Sequence, residues 1–373
     1  MYAQQEQTEQ KQKTRGAGFA GFGAQGENQK TPAQGLLEAR FFEKQKNKSV
    51  ACRACNRNCK IAEGAAGFCR VRKNVGGTLR SLVYGKTLTL TIDPIEKKPL
   101  FNFRPATQCV GVSTFGCNFA CLHCQNWHIS QDWTAEALGG VPFTSPEEIV
   151  ARTLGNGVEG IAYTYNEPTV FAEYALDTMK IARESGLYNV WVSNGYMSRE
   201  VADAIAPFLD AINIDLKGDA RFYREVCGAA EIKHVRENIK LFHKNKVHVE
   251  VTNLIVPGYN DKDAQLREVA DFVFSVSPEM PLHLSAFCPQ WKLDYVPATP
   301  AATIARAKEI AEKAGLKYVY VGNLQADINT TRCKKCGSAL IRRQGYFTDM
   351  VGLKEGGKGN KCAKCGVENN IIV

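Results

Sequence analysis

The chain has 373 residues, 44% of them apolar, and 47 Lys and Arg against 38 Asp and Glu give a formal charge of +9. That suffices for one large or two medium domains with a real core. There is neither an apolar run able to span a bilayer nor the apolar core of a signal peptide, so a soluble, cytoplasmic protein without membrane contacts is expected.

Residues 1–45 are rich in Gln, Gly, Ala and Lys with no apolar period, and read as a disordered tail. Residues 46–104 form an N-terminal metal-binding region built on Cys52, Cys55, Cys59 and Cys69. Four thiolates suit either a zinc ion or an auxiliary iron–sulfur cluster. Spacing alone does not choose between them, and zinc is the working assignment.

From 105 to 328, β-rich runs at 110–114, 160–165, 189–193, 211–215, 247–255, 282–287 and 318–321 alternate with helical patterns. The helical patterns lie near 146–156, 169–185, 198–208, 232–245, 263–276 and 299–314, the first opening on Ser145-Pro146-Glu147-Glu148, an N-cap signal. Strand followed by helix, repeated, predicts a parallel sheet. An open doubly wound sheet and a full or partial (β/α) barrel both fit this α/β pattern. Polar motifs end most of the strands, which favours the barrel, whose enzymes gather their sites at that end.

Residues 329–373 carry two Cys-x2-Cys-Gly knuckles, Cys333/Cys336 and Cys362/Cys365. They predict a closed tetrahedral zinc ribbon acting as a folding staple. The fourteen cysteines fall largely in local clusters, as expected for metal binding in a reducing compartment. Bound metal would leave a net charge of roughly +4, so charge gives little support for nucleic-acid binding. Cys109, Cys227 and Cys288 are expected to be free, with Cys288 either a reactive thiol or a small buried hydrophobe.

The most informative stretch follows the first strand of the repeat: Cys117-x3-Cys121-x2-Cys124, with His123 before the last cysteine. Three thiolates suit a 4Fe–4S cluster with one iron left open. Later strands end in Tyr163-Thr164-Tyr165-Asn166-Glu167-Pro168, Ser193-Asn194-Gly195 and Asn213-Ile214-Asp215-Leu216-Lys217-Gly218. Alternation puts Asn213, Asp215 and Lys217 on one face, where an Asp and a Lys must pair or bind a ligand. Thr252, Asn253 and His283 are candidate wall residues.

On these motifs the chain resembles the radical S-adenosylmethionine (radical SAM) enzymes. With Asp93-Pro94-Ile95-Glu96-Lys97-Lys98-Pro99-Leu100 and Cys124-Gln125-Asn126-Trp127, it resembles the AmmeMemoRadiSam-system radical SAM proteins, relatives of pyruvate formate-lyase activating enzyme. The resemblance implies a 4Fe–4S cluster on Cys117, Cys121 and Cys124 whose open iron binds SAM. It implies reductive cleavage of SAM and abstraction of a hydrogen atom, as in an oxidoreductase that activates a glycyl-radical enzyme. SAM contacts are then expected from Glu167, which would hold the methionyl amine, and from Asn166, Ser193, Asn194, Asp215, Lys217 and His123. His123 stands where relatives carry an aromatic residue beside the adenine. The implied partners are an electron donor such as flavodoxin or ferredoxin, a protein substrate, and AMMECR-domain and Memo-like proteins. The alternatives are modification of a peptide, a small molecule or RNA, or a non-enzymatic zinc scaffold.

Overall fold

The computed structural model describes residues 36–324, 328–354 and 359–373. The expected tail falls mostly outside these residues. Its last ten correct the expectation, because they carry strands. β1 (Leu37–Glu38) pairs with β6 (Thr78–Ser81), which pairs with β5 (Arg72–Val75); β2 (Phe42–Lys44) pairs with β3 (Val50–Cys52), which pairs with β4 (Lys60–Ile61). Ala39 between the first two strands is buried, so the segment is held by packing that composition alone did not reveal.

The main sheet has eight strands: β7 (Thr89–Pro94), β8 (Gln108–Ser113), β9 (Gly160–Tyr163), β10 (Tyr188–Ser193), β11 (Ala211–Asp215), β12 (His248–Ile255), β13 (Leu282–Ala286) and β14 (Val319–Gly322). They lie in chain order, and β8 to β14 are parallel throughout. β7 adds antiparallel to β8, an element the sequence pattern did not predict. β7 and β14 end the sheet without pairing to each other, so the barrel is partial. Helices 146–155, 172–184, 199–205, 232–244, 263–276 and 301–313 fill the crossovers. Ser145 caps the first of them, its hydroxyl accepting from the Glu148 N–H at 3.2 Å.

The N-terminal ends of the strands are closed by the segment after β7. Glu250 of β12 accepts from the main-chain N–H groups of Phe101 (3.0 Å) and Asn102 (2.7 Å). It also bonds His248 at 3.0 Å and His283 at 2.6 Å. The C-terminal ribbon, β15 (Ile328–Arg332), β16 (Ala339–Gln344) and β17 (Phe347–Met350), seats on the same plug. Ile372 donates to Asn102 O at 2.7 Å, and Arg104 donates to Ile372 O at 2.6 Å. Buried Arg343 stacks 4.6 Å from the Phe101 ring centroid and lies 3.6 Å from Glu96. No helix among the described residues is long and apolar enough to cross a membrane.

Candidate functional site

The loop leaving β8 carries Cys117, Cys121 and Cys124 at the C-terminal end of the sheet, opposite the plug. Its entry depends on Gly116, whose φ is +87° and whose missing Cβ would stand 2.7 Å from the Cys69 carbonyl oxygen. No side chain fits there. Asn166, after β9, anchors the same entry: its Oδ1 accepts from Thr114 N at 3.2 Å and its amide donates to Gly116 O at 2.8 Å. Asn166 is therefore occupied in positioning the loop.

Glu167 lies beneath this loop, 2% exposed. Its Oε1 accepts from Thr169 N (3.1 Å), Thr169 Oγ1 (2.6 Å) and Ser193 Oγ (2.8 Å), and Oε2 accepts from Asn194 N at 2.8 Å. The carboxylate caps the short helix 168–171 and ties the ends of β9 and β10 together. One acceptor position on Oε2 stays open. Burial pushes its pKa up, against those four hydrogen bonds. Asn194 donates to Asn118 Oδ1 at 2.6 Å, and its amide lies 3.9 Å from Cys117 Sγ. Burial, then the charge of Glu167, raises the Cys117 thiol well above its usual value.

At the end of β11, Lys217 pairs with Asp215 at 2.8 Å, as an inward Lys and Asp require. The Tyr223 hydroxyl holds this turn, donating to Asp215 O and accepting from Lys217 N, both at 3.1 Å. Asn213, deeper on the same face, donates to Pro99 O and accepts from Thr252 Oγ1, each at 2.8 Å. It is thus tied to the plug. His283 likewise belongs to the closed end with Glu250.

His123 is buried with its ring centroid 5.9 Å from that of Phe222, and its Nε2 has no partner among the described residues. Burial, reinforced by Lys217, pushes its pKa down to about 3, so the ring is neutral near pH 7. Cys121 Sγ, Cys227 Sγ and a His123 ring nitrogen lie within 4.8 Å of one another. Cys227, expected to be merely free, donates to Cys121 and holds that thiol below its usual value. Cys288 is exposed, which corrects the reading of it as a buried hydrophobe, and Cys109 is buried on β8 with its thiol 3.6 Å from the Asp93 carbonyl oxygen of β7.

Sequence reasoning missed a second polar group inside the sheet. Tyr165, at φ 69°, turns its hydroxyl onto Asp93, which also bonds Lys98 at 2.6 Å. The left-handed backbone at Tyr165 sends its side chain down into the sheet interior. Only the Asp-x4-Lys pair at the end of β7 could have signalled this contact.

The donor set on the loop fits a 4Fe–4S cluster. Three thiols come from one segment, and Cys121 among them is held low by the neighbouring Cys227 S–H. In the ribbon, Cys333, Cys336, Cys362 and Cys365 all lie within 4.8 Å of one another, with Sγ–Sγ contacts of 3.6 and 3.7 Å.

Comparison with known proteins supplies the context. The model of the radical SAM superfamily matches residues 112–273. An uncharacterized protein of Methanocaldococcus jannaschii is 45% identical over 342 residues, which is 91% of this chain and 100% of that protein. Another protein of the same organism, provisionally named a glycyl-radical enzyme activating enzyme, is 22% identical over 61% of this chain and 84% of its own length. Among solved structures, a domain of pyruvate-formate lyase-activating enzyme from Bacteroides vulgatus is 18% identical, covering 44% of this chain and 99% of that one, with a TM-score of 0.39. A radical SAM methyltransferase from Sphaerobacter thermophilus is 17% identical, covering 57% and 66%, with a TM-score of 0.43.

Proposed function

Because the chain belongs to the radical SAM superfamily, we propose that it cleaves SAM reductively and abstracts a hydrogen atom from a glycine of a partner polypeptide. The observation that carries this reading is the meeting of the Cys117–Cys124 loop with Glu167 and Asn194 at one end of the sheet. A cluster bound by Cys117, Cys121 and Cys124 would supply the one electron that splits SAM into methionine and a 5′-deoxyadenosyl radical. Glu167 Oε2 keeps one acceptor position for the methionyl amine. The paired Asp215 and Lys217 set the polar wall beyond β10, and Cys227 steadies the thiolate of Cys121. The ring of His123, packed on Phe222, narrows the space on the adenine side. The plug and ribbon shut the opposite end of the sheet, so the reaction is shielded from water on that side.

The choice of a glycine in a protein rests on the relative provisionally named as an activating enzyme. A low-potential flavodoxin or ferredoxin is the donor this chemistry calls for. The ribbon is assigned one zinc ion, since its sulfur spacing matches the roughly 3.8 Å expected around tetrahedral zinc with Zn–S bonds of about 2.3 Å. Cluster-loaded protein given reductant and SAM should release 5′-deoxyadenosine and leave a glycyl-radical EPR doublet on the partner polypeptide. Release of 5′-deoxyadenosine while every glycyl-radical enzyme offered stays without a doublet would overturn the choice of glycine.

A further inference from the structure

The four cysteines of the N-terminal region line one small cavity together with Arg72 and Asn118. Cys52 ends β3, Cys55 follows and bridges to Met197, and Cys59 and Cys69 close the loop around Gly67. Each sulfur meets a main-chain N–H: Ala54 faces Cys52, Arg57 faces Cys55, Phe68 faces Cys59 at 3.5 Å, and Val71 faces Cys69. Four sulfurs lining one cavity, each met by an amide N–H, are the donor set that a thiolate metal site requires.

Spacing decides what it holds. A single zinc ion draws its four sulfurs to about 3.8 Å from one another, and the ribbon shows that arrangement. In the N-terminal cavity no three of the four sulfurs lie within 4.8 Å of one another. The three sulfurs of the Cys117–Cys124 loop likewise do not all lie within 4.8 Å of one another. A polynuclear cluster explains this, because each thiolate then binds its own iron at a separate corner.

A second observation is independent of the sulfurs. Among the described residues, Asn118 Nδ2 and Arg72 Nε and Nη1 are buried without a hydrogen-bond partner, in residues only 1% and 2% exposed that line this cavity. Arg72 spends its remaining nitrogen on Glu173. Orphaned N–H donors at this depth are costly unless an acceptor faces them. The inorganic sulfides of a cluster are such acceptors, additional to the four thiolates, each of which already meets a main-chain N–H.

We infer that Cys52, Cys55, Cys59 and Cys69 bind an auxiliary 4Fe–4S cluster, with Asn118 and Arg72 donating to its sulfides. The site adjoins the radical SAM loop, since Asn118 follows Cys117 in the chain and the Cys69 carbonyl packs on Gly116. This does not depend on SAM chemistry.

The test is iron, sulfide and zinc analysis with Mössbauer and EPR spectra on the full chain purified anaerobically. Wild type should carry about eight irons and one zinc per chain. The Cys117→Ala/Cys121→Ala/Cys124→Ala variant should keep about four irons and the EPR signal of a reduced cubane cluster. The Cys55→Ser/Cys59→Ser variant should lose that cluster while its retained zinc reports a folded ribbon. An iron-free triple variant, whether it carries two zincs or one, would overturn the inference. SAM cleavage by the wild type is read separately, so failure of the proposed function leaves a distinct signature.

Discussion

The main-chain N–H of Asn194 donates to Glu167 Oε2 at 2.8 Å, joining the end of β10 to the end of β9 beneath the cysteine loop. Three more donors, from Thr169 and Ser193, converge on Oε1. Glu167→Gln keeps the shape but turns one acceptor into a donor that faces N–H or O–H groups. It should cost about 3 kcal/mol in chemical denaturation and lower SAM cleavage more than tenfold. Unchanged stability would show that the carboxylate is not the tie between the strands.

Acid should act through Glu250. Burial raises its pKa, but hydrogen bonds from His248 and His283 overcome this and leave it at about 2, against an ordinary value of 4.5. A carboxylate with a depressed folded pKa contributes stability that is complete above about 4.5 and fades as pH falls toward 2. The full effect is about 3 kcal/mol. Comparing denaturation of wild type and Glu250→Gln from pH 6 to pH 3 should show the wild type losing stability more steeply below pH 4.5. Parallel curves would contradict the assignment.

Gly116 and Gly186 both have positive φ, +87° and +77°, but only Gly116 has backbone within 3 Å of where a Cβ would lie. Gly186→Ala should therefore cost only about 1 kcal/mol of left-handed strain. Gly116→Ala adds the clash with the Cys69 carbonyl and should cost well over about 2 kcal/mol, with iron lost from the loop. Urea denaturation and iron content of the two variants make the comparison.

The ribbon should behave as a staple. Cys362→Ser should release zinc, and Arg343→Ala should destabilise the chain by about 3–5 kcal/mol, because it leaves buried Glu96 facing an empty site. Zinc content and thermal melting check both. Full stability of Arg343→Ala would mean that the plug holds without the ribbon.

The repeating strands could be read from the sequence because buried parallel strands are short apolar runs, and the run at 211–215 matches β11 residue for residue. The cysteine loop and the paired Asp215 and Lys217 were readable for a related reason: local spacing and alternation determine them. The plug was not, because Glu250 finds Phe101 and Asn102 from about 150 residues away, and no period marks such a contact. The inward row His248, Glu250 and Thr252 alternates with valines in β12, and that polar alternation was the signal available. Glu167 reads from sequence as a ligand-binding carboxylate, while the fold also uses it as a cap and a strand tie. Cys227 carries no motif, and only folding brings it to Cys121. The wide spacing of the N-terminal sulfurs is equally a property of the folded chain.

The central claim is that Cys117, Cys121 and Cys124 hold a cluster that cleaves SAM. The direct measurement is 5′-deoxyadenosine released from SAM by anaerobically purified, dithionite-reduced protein, run beside the Cys117→Ala/Cys121→Ala/Cys124→Ala variant. Wild type should release 5′-deoxyadenosine and methionine in equal amounts, and the variant neither. Equal release from both proteins, or none from wild type with its cluster intact, would contradict the account.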